Sequence, residues 1–139
     1  MNSEIFSLLH RLGITPNYAG YFQTAQAVEL CVEDPERLTL VTKLVYAEVG
    51  KRYGASWKTV ERNIRTVSII AWERSLPALE ELMGCTLDSR PHTSQFLAAL
   101  TERVLYGLSS RTALQNLSPQ QGSGTPPYPS AKSVQNFHC

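Results

Sequence analysis

Apolar residues recur along this chain at the three-to-four spacing of helices, not the alternation of strands. Ile5, Leu8, Leu9 and Leu12 follow that spacing behind Ser3, a capping residue, and ahead of Gly13, a stop. Ile14-Thr15-Pro16 reads as a turn, and a second helix follows with Tyr21, Ala25, Val28 and Val32 on one face. Asp34-Pro35 joins a cap to a first-turn proline. The stretch from Pro35 to Tyr53 is therefore expected to be helical throughout, with a break near Tyr46. Gly54 ends it, and Ser56 caps a long helix running to Arg74. Pro77 begins a short helix through Met83, which Gly84 closes. Beyond the loop CTLDSRPHT, Thr93 or Ser94 opens a last helix carrying Phe96, Leu97, Leu100 and Val104. The expected fold is all-α, about six helices over residues 3–107. Leu8, Val28, Val49, Val60, Ile64, Val67 and Phe96 are expected in its core.

The pattern stops after Leu108. The segment SPQQGSGTPPYPSAKSVQNF is rich in Ser, Pro, Gln and Gly and has little apolar surface to bury, so residues 108–139 are expected to form a disordered tail. The remaining length suits one ordinary domain, without internal repeats. No apolar run approaches the ~20 residues that a membrane-spanning helix needs. The N-terminus, MNSEIFSLLHRLG, has neither the basic segment nor the unbroken apolar core of a secretion signal, so no membrane association and a cytoplasmic location are expected. Cys31, Cys85 and Cys139 are far apart, and with His10, His92 and His138 they make no zinc-site spacing. No metal and no cofactor is expected. Cys31, within AVELCV, reads as a small core residue.

Charge changes the picture more than composition does. The formal total is only +1. From Met1 to Thr42 acids prevail, whereas from Lys43 to Arg74 seven bases face Glu48, Glu61 and Glu73, a local charge of +4. A basic segment in a near-neutral chain indicates a local anionic contact, not general stickiness to polyanions. The segment, LVYAEVGKRYGASWKTVERNIRTVSIIAWER, reads as two helices joined by a glycine-containing turn, the plan of a helix-turn-helix. Gly50 is expected to let the second helix cross closely, and Gly54 to take positive φ where the chain reverses. In that second helix Val60, Ile64, Val67 and Ala71 form one apolar stripe. At 100° per residue Lys58, Arg62 and Arg65 lie about 140° to 200° from Val60, on the opposite face near the helix start. A recognition helix touches base edges in the major groove with that part of itself.

The same residues carry a resemblance. EIFSLLHRLGITPNYAGY, TKLVY, VERNIRTVSIIAW and RPHTSQFLAAL, in this order and almost without gaps, resemble the C-terminal DNA-binding effector domain of the stage zero sporulation protein A family of response-regulator transcription factors. The likeness covers residues 4 to 105. It implies a helical domain that binds short DNA boxes near promoters, often as head-to-tail pairs, and contacts RNA polymerase sigma subunits. Double-stranded DNA is thus the expected partner, with a sigma subunit and a second copy on DNA as further ones. Glu61, Arg62 and Arg65 match the family's V-E-R-x-I-R motif, and Lys43 matches a basic residue lying near the DNA backbone. Arg62 and Arg65 are expected to reach guanine O6 and N7, while Glu61 accepts from cytosine or holds a neighbouring arginine. Lys58 and Thr66 complete the base-reading candidates. Lys51, Arg52, Ser56 and Trp57 join Lys43 as backbone candidates. The chain departs from the family at Thr66, where histidine is usual, at Ala47, where proline is usual, and at Gly50, where alanine is usual. No receiver domain precedes Met1 in this sequence, so it is expected to be a free-standing protein or a fragment.

A second class of function fits the same segment: a protein-interaction module that antagonises a full-length regulator or occupies a sigma subunit. An enzyme is not expected. No nucleophile-base pair or phosphate-binding glycine loop stands in the sequence, and Glu80-Glu81 decorate an exposed helix. Trp57 is expected to pack over the turn in preference to touching the sugar-phosphate backbone. Trp72 is expected in the core and His92 in a solvated loop. Arg90 is within reach of a phosphate, although nothing in the sequence requires that contact.

Overall fold

The computed structural model describes the backbone of residues 2–116 and the side chains of residues 3–107. Among the described residues six α-helices follow one another as α1 (Asn2–Arg11), α2 (Ala19–Glu33), α3 (Ala47–Tyr53), α4 (Trp57–Arg74), α5 (Leu76–Met83) and α6 (Thr93–Asn116), and the fold is all-α. Gly13 and Gly84 follow α1 and α5 with φ of +84° and +81°. The segment after Asn116, assigned above to a tail, lies outside the described residues. The backbone of α6 itself continues helical past Leu108, to Asn116.

The centre of the molecule is α2, which packs against α1, α4 and α6. It therefore buries residues around most of its circumference, Tyr21, Ala25, Ala27, Val28, Leu30 and Cys31 among them. Ile5, Leu9, Val28, Val49, Val60, Ile64, Val67, Phe96, Leu97 and Leu100 share its core, all without solvent exposure. Each side chain of that size contributes about 1.5–3 kcal/mol by leaving water. Cys31 sits in the same core, and burial pushes its thiol up to about 11. It is a packing residue and chemically inert. Trp72 is half-buried against the core rather than enclosed by it.

The stretch from Pro35 to Tyr53 is not one helix. A 3-10 helix (Pro35–Leu40) leads into a π-helical turn (Thr42–Tyr46), and only from Ala47 is the winding α. Asp34 accepts the Glu36 N–H as a cap, and Thr39 Oγ1 donates back to the Glu36 carbonyl at 2.7 Å. Arg37 Nη1 donates to the Leu44 carbonyl at 2.6 Å, tying the 3-10 helix to the π-helical turn. The widened turn sends Val45 and Tyr46 inward and leaves Lys43 and Leu44 on the surface. Among the described residues no helix is long and apolar enough to cross a membrane.

Candidate nucleic-acid interface

The turn between α3 and α4 is built by three backbone devices. Gly54 takes the left-handed conformation (φ 64°, ψ 35°) and donates its N–H to the Gly50 carbonyl, as Ala55 does at 2.9 Å. Ser56 is extended and its Oγ accepts the Thr59 N–H at 3.2 Å, capping α4. Gly50 lies directly beneath the Ala55 carbonyl, where a Cβ would collide. Its role is to admit the turn, and not the crossing of the second helix as the sequence suggested. The close helix crossing occurs elsewhere. Gly20 of α2 abuts the Asn63 carbonyl, and a Cβ there would stand 2.6 Å from Val67 Cγ2. Beside this contact Asn63 Nδ2 donates to Gln23 Oε1 at 3.0 Å.

So mounted, α4 turns Val60, Ile64, Val67 and Ala71 inward and its basic face outward. Lys58, Arg62 and Thr66 are exposed, while Arg65 and Glu61 are half-buried. Arg65 and Glu61 form an ion pair at 3.1 Å, so the carboxylate holds its neighbouring arginine in the free protein. The same Glu61 lies near the buried phenol of Tyr46, which burial first and the carboxylate second push up to about 12. Thr66 Oγ1 donates to the Arg62 carbonyl at 3.0 Å, which leaves its methyl and lone pairs on the surface. Arg62 makes no side-chain hydrogen bond among the described residues and is available to a ligand.

The backbone candidates flank this face. Lys43 projects from the π-helical turn and Arg52 from the last turn of α3, both exposed. Lys51 is also exposed, but pairs with Glu48 at 3.2 Å. Ser56 is engaged as the cap. Trp57 at the start of α4 is 42% exposed, with Lys58 Nζ 5.8 Å from the ring centroid.

Three supports of this face gave little sign in the sequence. Arg74 Nη1 donates to Tyr18 Oη at 3.2 Å, tying the end of α4 to the start of α2. Gly20, one glycine near a helix start, was the signal for the α2–α4 crossing. Arg90 turns inward, its Nη1 3.0 Å from Ser68 Oγ, whereas His92 is exposed in its loop as expected.

The sequence profile of the family described as sporulation initiation factor Spo0A C terminal matches residues 5–104, from the first turn of α1 to the middle of α6. With that span aligned over most of the chain, and α3, the turn and α4 inside it, the protein belongs to this family of sporulation-related DNA-binding effector domains.

Proposed function

We propose that this chain binds duplex DNA sequence-selectively by laying the N-terminal half of α4 in the major groove, and that it regulates transcription by doing so. The observation that carries this reading is the outward placement of Arg62 and Arg65 on a helix whose opposite stripe is buried. Lys43 and Arg52 stand to the side, where phosphates would pass, and add affinity without sequence preference. The Glu61–Arg65 pair is compatible with base reading on energetic grounds. A surface pair at this spacing is worth about 0.3–0.5 kcal/mol, whereas a bidentate arginine–guanine contact discriminates by about 1–3 kcal/mol. The guanine contact wins. The family resemblance further supports two copies on adjacent boxes, a sigma subunit as protein partner and action in the cytoplasm.

The test is quantitative binding to a duplex selected from a random pool and to a scrambled one, at two salt concentrations. Arg62→Ala and Arg65→Ala should each lose about 1–3 kcal/mol on the selected duplex only. Lys43→Ala should weaken both duplexes alike and lower the salt slope by about one phosphate contact. An unchanged selected-to-scrambled ratio in both arginine variants would show that α4 does not read bases. The interaction-module reading, which the Glu61-neutralised Arg65 favours, would then stand.

A further inference from the structure

Ser68 is out of character where it stands. It is fully buried on the apolar stripe of α4, between Val67 and Ile70. A hydroxyl there is costly unless it is bonded. It is bonded twice: Ser68 Oγ donates to the Arg65 carbonyl at 2.7 Å and accepts from Arg90 Nη1 at 3.0 Å. Arg90 comes from the loop between α5 and α6, and the same Nη1 donates to the Pro91 carbonyl at 3.1 Å, so its guanidinium is folded inward against the back of α4. A single chain of donors thus runs from the loop, through the core, to the backbone of a base-reading candidate. Such chains polarise one another, and the cation at one end strengthens the serine's bond at the other. On the outer side of the helix Glu61 holds the Arg65 guanidinium. Arg65 is gripped from the front and from the back.

We propose that Arg90 and Ser68 are positioning residues for base recognition: their strut fixes the direction in which the α4 backbone presents Arg65 to the groove. The proposal rests on the reading of α4 as the DNA-reading helix. An arginine stem is long, so a small change in backbone direction at its root displaces the guanidinium from the in-plane fork that guanine requires. A direct phosphate contact by Arg90 is a different role with a different signature, since it would act on every sequence equally.

The experiment compares wild type, Ser68→Ala, Arg90→Ala, the double variant and Arg90→Lys on the selected and scrambled duplexes at two salt concentrations, with thermal melting of each. Each alanine variant should lower the selected-to-scrambled ratio by about threefold to tenfold, as residues acting at one remove from a ligand do. Scrambled-duplex affinity and the salt slope should not move. The double variant should be no worse than the poorer single one, because both break one strut. Arg90→Lys, which retains a donor for Ser68, should keep most of the ratio. Should Arg90→Ala fail to fold, Ser68→Ala, a small change inside a helix, carries the test. Singles that leave the ratio intact while Arg62→Ala destroys it overturn the strut and spare the base-reading helix. Additive losses in the double variant overturn it too, as does a uniform loss with a shallower salt slope for Arg90→Ala. A wild-type protein without duplex preference overturns both proposals together.

Discussion

Gly20→Ala is the most informative single perturbation of the frame that carries α4. The new methyl would meet the Asn63 carbonyl, which is backbone and cannot rotate aside, and Val67 Cγ2 at 2.6 Å. Ordinary carbon contacts lie near 3.5–4.0 Å, so α2 and α4 must part by about 1 Å. Overpacking of this kind costs about 1–3 kcal/mol. Against it stands the usual helix gain of alanine over glycine, about 0.5–1 kcal/mol, which is smaller. The net loss is centred on about 1 kcal/mol and reaches about 2.5 kcal/mol, and for a domain near 100 residues each kcal/mol lowers Tm by about 4–8 °C. Gly107→Ala is the internal control. There the methyl would meet the end of the Glu4 side chain and no backbone, so Tm should fall less than in Gly20→Ala. Thermal unfolding followed by circular dichroism measures both. The displaced α4 should also weaken duplex selectivity in Gly20→Ala and leave it intact in Gly107→Ala. A Gly20→Ala protein melting at or above wild type would refute the reasoning, because the crossing would then have room for a methyl.

Three further outcomes are expected. Ser56→Ala removes the cap of α4 and should cost about 1 kcal/mol, read as a lower Tm together with weaker binding to every duplex. Gly54→Ala should cost about 1–2 kcal/mol from backbone strain alone, since nothing lies within 4 Å of the added carbon. Gly54→Asn should lose less, as asparagine tolerates the left-handed region. Burial raises the pKa of Glu102 above its ordinary 4.5, so the folded state holds this proton more tightly than the unfolded chain does. Stability from this group therefore falls as pH rises from the ordinary value through the raised one. Glu102→Gln should raise Tm at neutral pH, with the gain shrinking as pH falls from the raised value toward 4.5; a gain that does not change with pH would remove ionisation as its cause.

Much of this protein was legible in its chain because the information is local. Helix periodicity, the stops at Gly13, Gly54 and Gly84, the Ser56 cap and the buried stripe Val60, Ile64, Val67 and Ala71 each depend on residues within one or two turns. The outward face of Arg62 followed from the same arithmetic. What escaped it depends on partners remote in sequence. The 3-10 and π windings after Pro35 are accompanied by an Arg37–Leu44 bond, and the crossing of α2 over α4 needs the missing side chain of Gly20. Trp72, expected in the core, is only half-buried against it, a degree of enclosure that periodicity does not contain. Arg90 looked like a spare surface cation and is instead bonded to Ser68, 22 positions away. Spacing along a helix sets which residues face together, but which distant side chain reaches them is set only when the helices pack.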